Sequence, residues 1–415
     1  MKGGQFLAIL YQDEIGECAM QYAEWTKVVE PSATLAVVAW VRQKIEAGVK
    51  VHNFGAGEPD FLTPKVIRDA AHKAIEEGKT RYTPAAGTPQ LRKAFAEKVN
   101  SLYGVGVDTE NVVVTAGAKQ ALYAALRAVC EPNMEVIVPT PCWVTYPEMV
   151  KLAGGVPVLV ETKAEDGYVL DVDAIASAVT ERTGAVIVNS PNNPTGAVYG
   201  CDVLEGVVEL ARRHNLAIIS DEVYDRLILD EEIEHTTLFA IGRERVFSAF
   251  SCSKTYAMTG WRLGFGVGNK EWVRYCGRLL AQSTSNACSV SQYAALAALQ
   301  EGDDDAARMR KEFIKRRELI CRLLDEAGMR YVRPRGTFFL LLDVREWIGG
   351  RSVGGVEITD DEAFAKALLE EASVAVVPGS PFYAAGRVRL SFACSEEDIE
   401  GGIMSLVKFV QSIRG

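Results

Sequence analysis

The sequence predicts an α/β protein with two domains: a large one built on a mainly parallel sheet covered by helices, and a smaller α+β one. From about residue 111 to residue 268, apolar β-branched segments alternate with helical segments, which is typical of a parallel sheet with helices on both faces. Near residue 300 the pattern changes, because a long charged helix leads to the apolar segments FFLLLDV and RVRLSFA. A chain of 415 residues is long enough to bury the cores of two domains.

The composition limits the partners and the compartment. The formal net charge is −10, which argues against nucleic acid or an anionic membrane as the main partner. The nine cysteines include no CxxC pair and so resemble reduced thiols, and the four histidines lack metal-ligand spacing, so we predict no metal site. The apolar run at residues 6–11 is too short to span a membrane and lacks the flanks of a signal peptide. We therefore predict a cytoplasmic protein.

Residues 1–30 show no clear element and are predicted to be an extension before the folded protein. An internal methionine, Met20, lies shortly before the first helical pattern, so we hypothesise that the first nineteen residues are dispensable. That helix is expected to begin in the segment PSAT, with Ser32 or Thr34 as its cap.

The segment VHNFGAGEPDF (51–61) predicts a short strand that ends in a glycine-rich turn. Gly55 and Gly57 would permit a ligand to approach the backbone closely, although a plain turn before the next helix is the simpler alternative. A helix is expected over 65–77, and a loop rich in proline and glycine follows it. Tyr82 lies in this loop, where an aromatic hydroxyl is more often packed or exposed than functional.

Several side chains fall at or just after the ends of predicted strands. The segment NVVVTAGAKQALYAAL (111–126) predicts a strand, a turn and a helix whose first N–H groups can bind a phosphate. In parallel sheets, ligands lie beyond the carboxyl ends of the strands. We therefore predict one ligand site formed by residues at such ends: Trp143, Asn193, Asp221, Tyr224 and Lys254.

The segment SAFSCSKTYAMTGWRLGFGVG (248–268) carries the most specific chemistry. Lys254 lies among small and hydroxylated residues, including Ser251 and Ser253, and Arg262 follows. Hydroxyl groups, a helix start and a guanidinium can together bind a phosphate, and a lysine beside it could form a Schiff base with an aldehyde. Pyridoxal 5'-phosphate requires this arrangement. The alternative is a solvated surface lysine with an unrelated arginine.

Four of the strand-end residues suit such a cofactor, and three of them also have a structural alternative. Asp221 could pair with a protonated ring nitrogen, or it could cap the next helix. Asn193 and Tyr224 could hydrogen-bond the phenolic oxygen of the ring, although Asn193 could equally be a turn former between prolines. Trp143 could stack on the ring or pack in the core.

Arg389 lies in a predicted strand of the smaller domain. Its guanidinium would bind the carboxylate of a substrate. Strand alternation places Arg389 on the same face as Arg387, so a solvated strand edge is the alternative interpretation.

From residue 31 to residue 412 the sequence resembles the fold-type I, class I/II aminotransferases, which use pyridoxal 5'-phosphate. The similarity is greatest to the bacterial aspartate aminotransferase branch, and its motifs are GEPDF, YTPAAG, NNPTG, SDEVY and SKTYAMTGWRLG, in this order. The resemblance implies a large cofactor-binding domain at 62–304 with a mainly parallel, seven-stranded-type sheet. It implies a small domain formed by 31–61 and 305–415.

The resemblance also implies the roles of the motif residues. Lys254, Asp221 and Tyr224 are expected to be catalytic, with Lys254 as the Schiff-base residue that also moves the proton. The expected cofactor contacts are Gly117, Ala118, Lys119, Trp143, Asn193, Asp221, Tyr224, Ser251, Ser253, Lys254, Arg262 and Tyr82. The expected substrate contacts are Gly57, Trp143, Asn193 and Arg389. In the family, the tyrosine matched by Tyr82 reaches the phosphate of the partner subunit, which implies a homodimer with shared active sites.

The implied activity is transfer of an amino group from an amino acid, aspartate first, to 2-oxoglutarate or a similar 2-oxo acid. Related members acting on acidic or prephenate-type substrates often carry a lysine just before PSAT, where this chain has Glu30, and a negative charge there would disfavour a distal carboxylate. The alternatives are an aromatic amino acid or prephenate aminotransferase, and a C–S β-lyase on the same fold. A ligand-sensing regulator would need a basic DNA-binding module, for which residues 1–30 are too short.

Overall fold

The computed structural model describes residues 23–30 and 33–414. The hypotheses about residues 1–22 and about Ser32 as a helix cap concern positions outside the described residues. Glu24–Lys27 forms a short 3-10 helix. The first α-helix begins at Ala33, close to the start that the sequence predicts.

Fourteen α-helices occur in the part of the chain that the structure describes. They are α1 (Ala33–Glu46), α2 (Lys65–Glu76), α3 (Pro89–Tyr103), α4 (Ala118–Val129), α5 (Thr145–Leu152), α6 (Val172–Ser177), α7 (Cys201–His214), α8 (Leu238–Gly242), α9 (Cys252–Thr255), α10 (Lys270–Ser283), α11 (Ser289–Glu301), α12 (Asp303–Glu326), α13 (Asp361–Ala372) and α14 (Glu396–Ser412). None of these helices is long and apolar enough to cross a membrane.

Twelve strands within residues 33–414 form three sheets. They are β1 (His52–Asn53), β2 (Val112–Thr115), β3 (Glu135–Thr140), β4 (Val156–Glu161), β5 (Thr183–Asn189), β6 (Ala217–Asp221), β7 (Val246–Ser251), β8 (Gly264–Val267), β9 (Phe339–Asp343), β10 (Val374–Ala375), β11 (Val377–Pro378) and β12 (Arg387–Ser391).

Seven strands form the central sheet, in the order β2-β8-β7-β6-β5-β3-β4. β8 is antiparallel to both of its neighbours and every other pair is parallel, which confirms the prediction of a mainly parallel sheet. Helices cover both faces, because consecutive residues of one strand pack in different hydrophobic clusters. Val112 and Val114 lie in one cluster and Val113 lies in the other, and all three are fully buried.

The smaller α+β unit contains the other two sheets. β11, β12 and β9 are antiparallel neighbours, while β1 and β10 form a parallel pair. Helices α12, α13 and α14 pack together around a third hydrophobic cluster, which includes Phe54, Phe313 and Phe338. Tyr224 belongs to this cluster as well, so the two units meet just after β6. The domain limits 31–61, 62–304 and 305–415 stay a prediction.

The carboxyl ends of β5, β6 and β7 lie side by side at one edge of the central sheet. The register pairs Asn189 with Asp221 and Asp221 with Ala249. The start of α4 approaches this edge closely, because Gly264 in β8 has no side chain. A Cβ at Gly264 would lie 2.6 Å from the carbonyl carbon of Gly117. The sheet therefore presents strand ends and a helix N-terminus to the same space.

Candidate active site

A cavity of about 380 Å³ opens at this edge of the sheet. Its walls come from both units, because Arg389 of β12 and Gly57 after β1 face the ends of β6 and β7. The cavity brings together twelve of the residues that the sequence singles out: Gly57, Ala118, Lys119, Trp143, Asn193, Asp221, Tyr224, Ser251, Ser253, Lys254, Arg262 and Arg389.

Lys254 points its amine into the cavity from the short helix α9. The Nζ atom donates a hydrogen bond to the carbonyl oxygen of Gly57. Burial lowers the pKa of this amine to about 8, and the cations of Arg389 and Arg262 act in the same direction, while Glu58 opposes them. An amine with this pKa exchanges protons readily near neutral pH, so Lys254 is suited to be a nucleophile and a base.

Asp221 ends β6 as a buried carboxylate. Its Oδ2 accepts a hydrogen bond from the hydroxyl of Tyr146 at 2.7 Å, and its Oδ1 accepts one from the backbone N–H of Val223 at 3.2 Å. Burial raises the pKa of Asp221 to about 6 despite these two bonds. Within residues 33–414 no cation forms an ion pair with it, so a buried acceptor for a ligand cation is available here.

Replacing Asp221 with asparagine is expected to stabilise the ligand-free protein at pH 7.5 and to change its stability little at pH 4. The raised pKa means that the folded protein keeps a proton that the unfolded chain releases near its ordinary pKa of 3.8. The stabilising contribution is complete below about pH 4 and is lost as the pH rises through about 6, at a cost of roughly 3 kcal/mol. Urea denaturation of both proteins at the two pH values measures this, and equal pH dependence would contradict it.

Ser251, Ser253, Arg262 and the start of α4 form a polar cradle at one end of the cavity. The hydroxyl of Ser251 accepts a hydrogen bond from the backbone N–H of Ser253 at 3.0 Å and lies 2.8 Å from the Ser253 hydroxyl. Gly117 has a φ of 82°, and a Cβ there would lie 2.6 Å from Nη2 of Arg262. Only glycine lets the guanidinium lie so close to the start of α4, and this combination of donors suits a phosphate.

Trp143 and Lys119 lie together on the cavity wall. The Nζ of Lys119 is 4.6 Å from the centre of the Trp143 ring, and Tyr146 meets the same ring edge-on at 5.5 Å. Burial lowers the pKa of Lys119, and the Arg262 cation lowers it further. Trp143 is therefore held by neighbours with one side toward the cavity, where a flat ligand could stack.

Among the residues that the structure describes, Arg389 is a buried cation without a carboxylate partner. Its side chain donates from Nη1 to Oδ1 of Asn193 at 3.1 Å and from Nη2 to the carbonyl oxygen of Gly55 at 3.3 Å, while Nε has no partner among these residues. Only 2% of the residue is exposed, and burial lowers its pKa to about 10. The guanidinium also lies 4.1 Å from the centre of the Phe339 ring. The solvated-edge alternative is therefore wrong, and the site is suited to an incoming carboxylate.

Tyr224 and Asn193 occupy the part of the cavity between Asp221 and Arg389. Burial raises the pKa of the Tyr224 hydroxyl, so it is a proton donor at neutral pH. The backbone N–H of Asn193 donates to Oδ1 of Asn189 at 2.9 Å, and Asn189 also donates to the backbone oxygen of Asp221. The NNPTG turn is therefore fixed to β6, and the Asn193 side chain is buried next to Arg389.

Two predicted residues lie outside the cavity wall. Gly117 lies behind the wall, in contact with Arg262. Tyr82 is 92% exposed and does not line the cavity of this chain. Glu30, the position where the sequence departs from its relatives, also does not line it, and its backbone N–H donates to Glu148 at 2.9 Å.

The sequence did not single out several residues that line the cavity. Tyr146 lies three residues after Trp143 in the strand-end segment, and that position is the signal that could have found it. Glu58 follows Gly57 and accepts a hydrogen bond from the hydroxyl of Thr259. Asn189, Val223 and Phe339 also line the cavity, whereas Gly55, which lines it too, was singled out with Gly57.

Comparison with known proteins places this arrangement among described enzymes. The family model for aminotransferase class I and II matches residues 49–406. The aspartate/prephenate aminotransferase of Thermus thermophilus is 43% identical over 376 residues, which are 90% of this chain and 94% of that protein. The aspartate aminotransferase of Bacillus sp. (strain YM-2) is 40% identical over 94% of this chain and 99% of its own length.

Two solved structures show the same architecture. The aspartate aminotransferase of Thermus thermophilus with maleate superimposes with a TM-score of 0.89 at 40% identity, covering 94% of this chain and 100% of that one. The aspartate aminotransferase of Rhizobium meliloti gives a TM-score of 0.90 at 33% identity, covering 95% and 100%.

Proposed function

The chain belongs to the class I and II aminotransferases, and from this premise we propose that it transfers an amino group from aspartate to 2-oxoglutarate with pyridoxal 5'-phosphate as its cofactor. One observation carries the proposal. The same cavity holds the Lys254 amine, whose pKa is lowered to about 8, and the Arg389 guanidinium, which has no carboxylate partner. Amino transfer from an amino acid needs an amine near the α-carbon of the substrate and a cation at its carboxylate.

The residues around the cavity fit pyridoxal 5'-phosphate at each of its ends. Asp221 offers a buried carboxylate to a ring nitrogen, and the cradle of Ser251, Ser253 and Arg262 offers donors to a phosphate. Lys254 and Trp143 line the same cavity. When bound, this cofactor supplies an aldehyde that an amine can attack and a conjugated ring that takes up electrons from the substrate.

The protein's own side chains would bind, orient and move protons. Arg389 would bind the α-carboxylate and so fix the α-carbon within reach of Lys254. The neutral amine of Lys254 would take the α-proton and return it elsewhere, which its pKa near 8 allows at neutral pH. Asp221 would keep a proton on the ring nitrogen, and Tyr224 with Asn193 would donate hydrogen bonds to the ring oxygen.

Aspartate is proposed as the first donor because relatives named aspartate aminotransferase are 37–40% identical over nearly the whole chain. Relatives named for aspartate and prephenate are 43–44% identical and also name aspartate, so prephenate or an aromatic amino acid is the second candidate. Glu30 does not line the cavity, whereas Lys119 does, and its cation would stabilise a dicarboxylic substrate.

A panel of amino donors assayed against 2-oxoglutarate tests the function. We expect aspartate to give the highest kcat/KM, with parallel lines in double-reciprocal plots, because the donor product leaves before the second substrate binds. Ammonia and pyruvate formed from a single substrate, without any need for a 2-oxo acid, would show a β-lyase instead.

We also propose a homodimer with shared active sites, in the cytoplasm. Tyr82 is 92% exposed in the single chain although its loop is well held, since the Ser289 hydroxyl donates to the carbonyl oxygen of Arg81 at 2.5 Å. Each of the eight cysteines that the structure describes is a free thiol, which supports a reducing compartment.

Replacing Tyr82 with phenylalanine is expected to weaken cofactor binding about tenfold without changing the dimer. The hydroxyl of Tyr82 would donate one charge-assisted hydrogen bond to the phosphate in the partner's site. Light scattering on a size-exclusion column gives the oligomeric state, and cofactor release on dilution gives the affinity. A fully active monomer, or unchanged cofactor affinity in the variant, would contradict the proposal.

A further inference from the structure

Residues 55–63, GAGEPDFLT, form a bridging segment between the two units of the protein. The carbonyl oxygen of Gly55 accepts from Nη2 of Arg389 at 3.3 Å, and that of Gly57 accepts from Nζ of Lys254. These two carbonyls therefore hold both groups on which the proposed chemistry depends. Glycine restricts the backbone least of all residues, so other contacts must fix their positions.

One set of contacts ties the bridging segment to α12. Oδ1 of Asp60 accepts from Nη1 of Arg316 at 2.7 Å, and Phe61 meets Phe313 edge-on at 5.3 Å. The Arg316 guanidinium also lies 4.9 Å from the centre of the Phe61 ring, and its Nε donates to Glu312 at 3.3 Å. Arg316 is only 6% exposed, so this ion pair is weakly screened by water.

A second set ties the bridging segment to the loop after Lys254. Glu58 accepts from the hydroxyl of Thr259. The Thr63 hydroxyl donates to the carbonyl oxygen of Ala257 at 2.6 Å and accepts from Nε1 of Trp261 at 3.0 Å. The glycines thus lie near contacts to both units, and among the described residues the ion pair between the segment and α12 is the one that Asp60 forms with Arg316.

We propose that Arg316 is a positioning residue for substrate carboxylates, acting through Asp60 and the carbonyls of Gly55 and Gly57. Arg316 itself does not line the cavity. When Asp60 is released, the Gly55 carbonyl shifts and Arg389 loses one of its two acceptors, so its guanidinium no longer faces the cavity in a fixed direction. The inference rests on the proposed function, since it assumes that Arg389 binds the carboxylate.

The test compares Arg316→Met, Asp60→Asn and the double variant with wild-type holoenzyme. Maleate binding by calorimetry reports carboxylate affinity without catalysis. We expect each single variant to weaken maleate binding, and to raise the KM for the amino donor, by about tenfold, with kcat changed by less than about threefold. The double variant is expected to be no worse than Arg316→Met alone, because that variant already removes the ion pair with Asp60.

Arg317→Met is the matched control. Arg317 is the next residue on α12 and is 5% exposed, but it pairs with Asp230 and the carbonyl oxygen of Pro334 instead of the bridging segment. We expect it to lower the melting temperature as Arg316→Met does and to leave maleate affinity unchanged.

Equal loss of maleate affinity in the control, or unchanged affinity in Asp60→Asn, would overturn the inference. Asp60 is partly exposed, so Asp60→Asn is expected to fold. If Arg316→Met does not fold, the maleate affinity of Asp60→Asn tests the inference. A wild type that binds maleate but transfers no amino group would contradict the proposed function and leave the inference standing.

Discussion

Replacement of Lys254 by alanine is expected to abolish amino transfer, with kcat reduced by about 10⁴-fold or more. The variant loses the only amine that reaches the Gly57 carbonyl within the described cavity, and with it both the nucleophile and the proton carrier. Stability should change little, because a partly buried amine with a lowered pKa contributes no ion pair to the fold. Steady-state kinetics at saturating donor and thermal denaturation measure the two effects.

Lys270→Ala is the control for this variant. Lys270 is an exposed lysine at the start of α10 that pairs with Asp108 and Glu110. Its loss should leave kcat unchanged. Substantial turnover by Lys254→Ala would remove that residue from the mechanism.

Replacement of Arg389 by leucine is expected to lower kcat/KM about 100-fold or more, mainly through KM, while stability is kept or increased. The guanidinium is buried with only neutral acceptors, so the ligand-free protein bears the cost of an unpaired charge. The substrate carboxylate would compensate that charge, and the variant loses this interaction. Activity and stability should therefore change in opposite directions.

Arg387→Leu is the matched control, because Arg387 lies two residues earlier on the same strand face. It is only partly buried and lies 5.9 Å from the centre of the Tyr168 ring, away from the cavity. We expect its KM to stay within about twofold of wild type. A strongly destabilised Arg389→Leu with an unchanged KM would show that Arg389 supports the fold instead of the substrate.

The elements around the site were predicted well from the sequence, because each of them has a strong local pattern. The strand, turn and helix predicted over 111–126 are β2 (Val112–Thr115) and α4 (Ala118–Val129) in the structure. Residues at strand ends were found for the same reason, since parallel strands bring Asp221 and Lys254 to one edge of the sheet.

The sequence could not show which strand face is buried in the smaller unit. Alternation placed Arg387 and Arg389 together, but their exposure depends on what packs there. β12 lies between β11 and β9, and Phe339 and Phe382 enclose Arg389 while Arg387 remains near the rim. Tertiary packing decides which of the two arginines is buried, and it leaves no pattern in the local sequence.

Contacts between distant segments were also beyond the sequence. Tyr146 meets Asp221 across 75 residues, and Glu58 meets Thr259 across 201. Each pair forms because the sheet order or the bridging segment brings together two elements that are distant in the sequence. No spacing rule for a single helix or strand relates such positions.

Borohydride reduction of the purified holoenzyme, followed by digestion and mass spectrometry, identifies the lysine that binds the cofactor. We predict a cofactor adduct on the peptide that contains Lys254, because its amine lies in the cavity, donates to the carbonyl oxygen of Gly57 and has a pKa lowered to about 8. Lys119 lies in the same cavity and provides an internal comparison. An adduct on Lys119 alone, or no adduct in a protein that transfers amino groups, would contradict the account.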